Sequence, residues 1–491
     1  MSPHGASKSA AEPAAKKART SSSSSMSSAW EELVYLPGFG GHFCSETLPG
    51  ALPKAQNSPQ KCPYGLYAEQ LSGTAFTLPR DKNQRSWLYR ILPPVVHEKY
   101  KEVEHKFLQN DFANATLTPQ QMRWSPMPFP EESEKLDFVD GIKTVGGAGD
   151  PTLKDGMAIH NYAANISMSD KCFYNSDGDF LIVPQHGVLK ITTEFGKMLV
   201  SPHEICVIQV KKMCFVYASG AFPMHTVELT QTFLFLRGIR FSVDIDEPVR
   251  GYILEVYNRH FVLPDLGPIG ANGLANPRDF EHPVAAWEDR ECEYLVVNKF
   301  GGRMFSARMA FSPFNVVAWH GNYVPYKYNL DNFCTMNSVS FDHPDPSIYT
   351  VLTCQTDEPG CAVADFVIFP PRWMVMEHTF RPPYFHRNCM TEYMGMIYGT
   401  YDAKKGGKDG FQPGGASLHS VDTPHGPDAA TFLAASNADL APHKFEGGLA
   451  FMFESTFLVK LTDYSLNCEH NDADYWKCWQ KMPKLFNPDQ I

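Results

Sequence analysis

None of the twelve cysteines stands in a Cys-x-x-Cys pair, so the spacing that zinc ribbons and thioredoxin-like redox motifs need is missing. No secretory signal is visible, and reduced, buried thiols in the cytosol are the expectation. No apolar run reaches the roughly 18 residues that a membrane-spanning helix requires. Positive charge is scarce as well: 43 Lys and Arg face 54 Asp and Glu, a net charge of −11, which leaves no electrostatic footprint for nucleic acid. The stretch Leu36-Pro-Gly-Phe-Gly-Gly41 has Gly-x-Gly character, but no strand-to-helix context follows it, so a dinucleotide site is not supported. A βαβ rhythm is also absent, which argues against Rossmann and TIM-barrel folds.

What the chain does contain is turn chemistry and aromatics. Thirty-eight prolines, 35 glycines and 34 phenylalanines in 491 residues predict many short strands joined by turns, in sandwiches or jelly rolls. A chain of this length with 43% hydrophobic content can bury a large core, expected as two domains. Residues 1–29 are rich in Ser, Ala and Lys and read as a solvated tail, with Lys16-Lys17-Ala-Arg19 as a candidate address signal. Residues 30–305 form the expected N-terminal β-domain and 306–491 the C-terminal domain. Ser176-Asp-Gly-Asp179 has the residues of a hairpin turn and too few ligands for calcium. Buried strands are expected at Ser347–Thr353 and Val363–Pro371, and Thr431–Ser436 is one of few helical candidates. The tail after Asn467, carrying Trp476 and Trp479, is apolar enough to dock, with a neighbouring subunit as the expected surface.

One stretch carries chemistry on spacing alone. His386 and Glu392 are six apart, an even separation that puts two side chains on one face of a strand but about 240° apart on a helix. Pro382-Pro383 and the aromatic run Tyr393–Tyr401 favour the strand. His425 follows beyond the glycine-rich loop Gly406–Gly415. Two histidines and one carboxylate suit a facial triad for non-haem Fe(II), with positions left open for substrate and O₂. The alternative is two hydrogen-bonded loop histidines beside a solvated Glu. Ligand identity does not distinguish iron from zinc or manganese.

Beyond that stretch the chain resembles the homogentisate 1,2-dioxygenase family from Leu36 to about Trp479. The likeness is carried by Ala68-Glu-Gln-Leu-Ser-Gly73, Arg85-Ser-Trp-Leu-Tyr-Arg90, Phe173-Tyr-Asn-Ser-Asp-Gly-Asp179 and Leu266-Gly-Pro-Ile-Gly-Ala-Asn-Gly-Leu-Ala-Asn-Pro-Arg278. It continues through Val317-Ala-Trp-His-Gly-Asn-Tyr323, Phe380–Met390, Ser417-Leu-His-Ser420 and Thr423-Pro-His-Gly-Pro427.

The resemblance implies a mainly β, cupin-like, two-domain fold with few helices, the iron held by the smaller C-terminal jelly roll, and a hexamer built as two trimers. It implies Fe(II) on His386, Glu392 and His425, a catalytic histidine at His320, and a substrate contact at Tyr401. Homogentisate and O₂ are the expected partners. Arg381 or Tyr384 is the candidate for the substrate carboxylate, and His419 for orienting a ligand from behind. A binding protein with a dead site would lack one of the three ligands, and none is missing. One departure stands out: Val210–Leu236 interrupts the family pattern between Val207-Ile-Gln209 and Arg237-Gly-Ile-Arg-Phe241. A surface loop and a retained intron are the two readings, and neither disturbs the expected iron site.

Overall fold

The computed structural model describes residues 30, 32–210, 238–265, 273–337, 339–340, 349–358, 360–401 and 410–489. The interruption at 210–236 lies outside them except for Val210, as do residues 402–409, which include the start of the glycine-rich loop, and 266–272 of the Leu266–Arg278 stretch.

Alternation of side chains along strands explains the architecture. In the strand Asp179–His186, Leu181 and Val183 point into one apolar core while Phe180 and Ile182 point into another. In Val249–Val256, Leu254 and Ile253 divide the same way. A strand covered on both faces has no solvated side, and so its sequence is a near-continuous apolar run rather than an alternating one. These strands sit in the middle of a nine-stranded sheet. On one face it shares a core with a seven-stranded sheet, through Phe173, Ile191, Phe241 and Val243, and with a four-stranded one through Leu88 and Trp319. On the other it packs against a six-stranded sheet through Tyr349, Phe366, Tyr393, Phe451 and Phe453. The fold is mainly β with few helices, as expected, and the helical candidate near 431 is the α-helix Ala429–Ser436, capped by the Asp428 carboxylate on Thr431 N–H.

Two expectations change. The boundary at 305/306 falls inside the strand Arg303–Phe311, which pairs with Glu291–Phe300. The strands Val316–Gly321 and Tyr326–Asn329 also hydrogen-bond to strands from before residue 210. Nor does Ser176-Asp-Gly-Asp179 close a hairpin. The strand before it, Lys171–Asn175, joins the seven-stranded sheet, and the strand after it, Asp179–His186, joins the nine-stranded one. The turn is fixed from outside by ion pairing instead: Asp177 accepts from Gly301 N at 2.6 Å and Gly302 N at 2.9 Å and pairs with Lys299 at 2.9 Å.

Lys299 also meets Glu255 at 2.6 Å, and Glu255 in turn meets His160 at 3.1 Å, all of them buried. Burial opposes ionisation of Glu255, but Lys299 and His160 outweigh it and hold the carboxyl at about 2. The folded value lies below the ordinary 4.5, so the stabilisation is fully present above pH 4.5 and is lost as pH falls towards 2. Removing one partner strands the other's buried charge. Lys299→Met should therefore lower the urea-unfolding free energy by about 3–5 kcal/mol at pH 7, with a smaller deficit near pH 2.

The ends flanking the interruption stand side by side: Ile239 N–H donates to Gln209 O at 3.4 Å, and Val210 N–H to Asp179 at 2.7 Å. A chain lacking residues 211–237 should therefore fold with an unchanged far-ultraviolet spectrum and metal content. Aggregation of that deletion variant would show that the segment is needed for folding.

Candidate metal centre

The six-stranded sheet has an inner face against the core and an outer face. Along Thr391–Gly399, Tyr393 points inward while Glu392, Met394 and Met396 point outward. Register places His419 directly opposite Glu392 on one side and Glu454 on the other, with Asp365 opposite Glu454 on the next strand. A row of ionisable side chains thus crosses the outer face at one end of the sheet.

His386 reaches Glu392 by a route that strand alternation did not foresee. It precedes the strand and forms an isolated antiparallel bridge with His425, each backbone N–H donating to the other's carbonyl at 3.0 and 3.1 Å. The chain then turns through Asn388, whose amide donates to Glu392 Oε1 at 2.6 Å and whose carbonyl oxygen accepts from Met390 N–H at 2.9 Å. The even spacing found the right pair for the wrong geometric reason.

Both rings are oriented alike. His386 Nδ1–H donates to Tyr384 O and His425 Nδ1–H to Thr423 O, each at 2.8 Å. Each Nε2 therefore turns towards Glu392, at 3.6 Å from Oε1 for His386 and 2.9 Å from Oε2 for His425. One ligand atom from each of the three residues lies within 4.8 Å of the others. Imidazole lone pairs and a carboxylate aimed at one point are satisfied by a cation between them, and the backbone bond on the far nitrogen is the usual way of fixing the tautomer of a metal-binding histidine. The donor set fits a metal ion.

The electrostatics agree with that fit. Burial would raise the Glu392 carboxyl, yet His386 and His425, which donate to it from Nε2 when protonated in the absence of a cation, hold it well below the usual range. Its bond to Glu392 lifts His386 above the ordinary imidazole value, against the effect of burial. Burial, helped by the charges of Glu392 and Asp365, pushes Glu454 up to about 8, which favours its neutral form beside Glu392. Behind His425 the His419 ring stacks at 4.2 Å and 8°, and its Nε2 lies 3.1 Å from the Tyr475 hydroxyl. His419 thus packs directly behind His425.

The triad opens into a cavity of about 740 Å³ lined by His386, His425, Phe385, Arg387, Trp476 and Trp479, with Gln120, Gln121, Pro424, Gln480 and Met482. The C-terminal tail supplies much of this wall. Trp479 Nε1–H donates to Gly426 O and Pro427 O at 3.3 and 3.1 Å, so the tail docks on its own chain. Gly426 admits no side chain, because a Cβ there would lie 2.5 Å from the Phe385 ring.

Other candidates lie elsewhere. His320 sits on a different sheet, its Nε2 3.3 Å from the Tyr89 hydroxyl, and burial with neighbouring His42 lowers its pKa. No contact described for it reaches the triad, and it does not line the cavity. Arg381 directs its guanidinium to Ala441 O, Met376 O and His443. Tyr401 is buried edge-on against Phe369 and Phe411, and exposed Tyr384 has its ring 6.0 Å from that of His386. None of these three lines the cavity. Asn388, Tyr475 and the tail tryptophans carried no sequence signal for the site beyond the apolarity of the tail.

Fold and site together define a class: a mainly β protein with a two-histidine, one-carboxylate cluster of the kind that serves mononuclear metal enzymes. The model for the homogentisate 1,2-dioxygenase N-terminal region matches residues 34–221 and 210–330, and that for the C-terminal region matches 331–486. The homogentisate 1,2-dioxygenase of Mus musculus is 55% identical over 93% of this chain and 98% of its own. That of Dictyostelium discoideum is 57% identical over 91% and 96%. The chain belongs to the homogentisate 1,2-dioxygenase family. Among solved structures, the Escherichia coli protein Ylba aligns at 7% identity and a TM-score of 0.29, over 71% of this chain and 96% of that one.

If Asn388 orients Glu392, Asn388→Ala should weaken metal affinity by about 10- to 100-fold without unfolding the protein, as measured by metal titration beside a thermal melt.

Proposed function

We propose that this chain is an Fe(II)-dependent dioxygenase that opens the ring of homogentisate with O₂ to give 4-maleylacetoacetate, a step of tyrosine and phenylalanine catabolism. The observation that carries the proposal is the convergence of His386 Nε2, Glu392 and His425 Nε2 at the base of a cavity walled by tryptophans, in a chain of this family. The three residues would hold iron on one face, and the bound metal would supply a centre at which a hydroquinone and O₂ can exchange electrons.

The protein's own groups do the rest. Trp476 and Trp479 offer aromatic faces to a planar ring. Asn388 and the two backbone carbonyls keep the ligands from rotating. His320, whose depressed pKa keeps it unprotonated near neutrality, suits a general base for the phenolic proton. Because no contact described for it within one chain reaches the triad and it does not line the cavity, we assign that role to His320 of a neighbouring copy in a homohexamer arranged as a dimer of trimers. Tyr401 and His425 are assigned as substrate contacts, and no membrane or nucleic acid takes part.

The test is O₂ uptake with homogentisate after anaerobic Fe(II) loading. Activity supported by zinc, or none with iron, would overturn the reading. His386→Ala, Glu392→Ala and His425→Ala should each lose bound iron. His320→Phe should keep iron and lose turnover. Co-assembling His320→Phe with His386→Ala subunits should restore part of the activity, and no restoration would place the base within the same chain.

A further inference from the structure

The cavity above the triad has an uneven charge. Its aromatic and apolar walls come from Phe385, Trp476, Trp479 and Met482, and its neutral polar groups are glutamines. Among the described residues lining it there is no Asp or Glu, and the one lysine or arginine is Arg387. The chain as a whole is acidic, with a net charge of −11, and most of its arginines lie near carboxylates or carbonyls, as Arg90 does with Glu194, Arg123 with Asp472 and Arg381 with Ala441. Arg387 is exposed and has no hydrogen bond, ion pair or ring contact among the described residues. It directly follows the ligand His386, so its backbone is held by the same bridge to His425. A planar guanidinium fork with free donors matches a carboxylate, which it can bind through two parallel hydrogen bonds.

We propose that Arg387 is the specificity-determining residue that receives the carboxylate arm of the aromatic substrate, while the tail tryptophans flank its ring. This assignment rests on the dioxygenase reading above, and it replaces Arg381, whose two terminal nitrogens are already directed to two backbone carbonyls and His443 and whose Nε is buried.

The test uses the full-length Fe(II)-loaded protein and its R387M and R387K variants. Anaerobic equilibrium binding is measured for phenylacetate and phenylacetamide, and steady-state O₂ uptake for homogentisate and its methyl ester. In R387M, phenylacetate binding and the KM for homogentisate should weaken about 10- to 100-fold, as expected for a lost charged hydrogen-bond pair. The neutral amide and ester should be unaffected, kcat and iron content should stay close to wild type, and R387K should recover part of the loss. Equal losses for charged and neutral ligands, or undiminished phenylacetate binding, would overturn the assignment. Wild-type protein that binds phenylacetate through Arg387 but consumes no O₂ with homogentisate would instead overturn the reaction reading and leave a carboxylate site in place.

Discussion

A sheet covered on both faces constrains everything attached to it. The nine-stranded sheet has apolar side chains above and below, so its charged groups have to be paired inside or displaced to its ends. Both outcomes occur. Glu255, Lys299, Asp177 and His160 form a closed buried network at the place where the chain passes from one sheet to another. The three candidate ligands, by contrast, fall on the outer face of the six-stranded sheet or on the loops beside it, away from the shared apolar core. The metal centre lies where the layering leaves an outer face open.

At that face the carboxylate of Glu392 decides the rest. It is 6% exposed, and a buried anion needs donors or a cation. Asn388, His386 and His425 supply the donors, and they do so with geometry already appropriate for a shared ion. His419 and Tyr475 then fill the space behind His425. This layering makes the tail part of the site: Tyr475–Trp479 closes the back of the histidine stack and one wall of the cavity at once. Arg387 lies on the open side, where an unpaired cation remains accessible to an anionic ligand.

Much of this was legible before folding. Turn-forming residues and missing βαβ rhythm gave the β class, and apolar runs such as Val363–Pro371 marked buried strands. The triad was legible because its three residues lie within forty positions and their types are chemically rare together. What failed did so for identifiable reasons. Ser176–Asp179 has hairpin composition, yet composition does not say whether two strands pair with each other or with different sheets. Arg381 and Arg387 look equivalent in sequence, and only the carbonyls of Met376 and Ala441 separate them.

The sequence by itself determined the local quantities: which segments are extended, which are apolar on both faces, and which residues have the donor chemistry of a metal site. These follow from side-chain types and their spacing, which are properties of neighbouring positions. The tertiary structure decided which rings share a point, that Asn388 and Tyr475 support them, that the tail closes the cavity, and which arginine stays free. Those depend on contacts between positions up to about a hundred apart and on sheet register, where a single hydrogen-bonded bridge, His386 to His425, sets an approach that no spacing rule encodes.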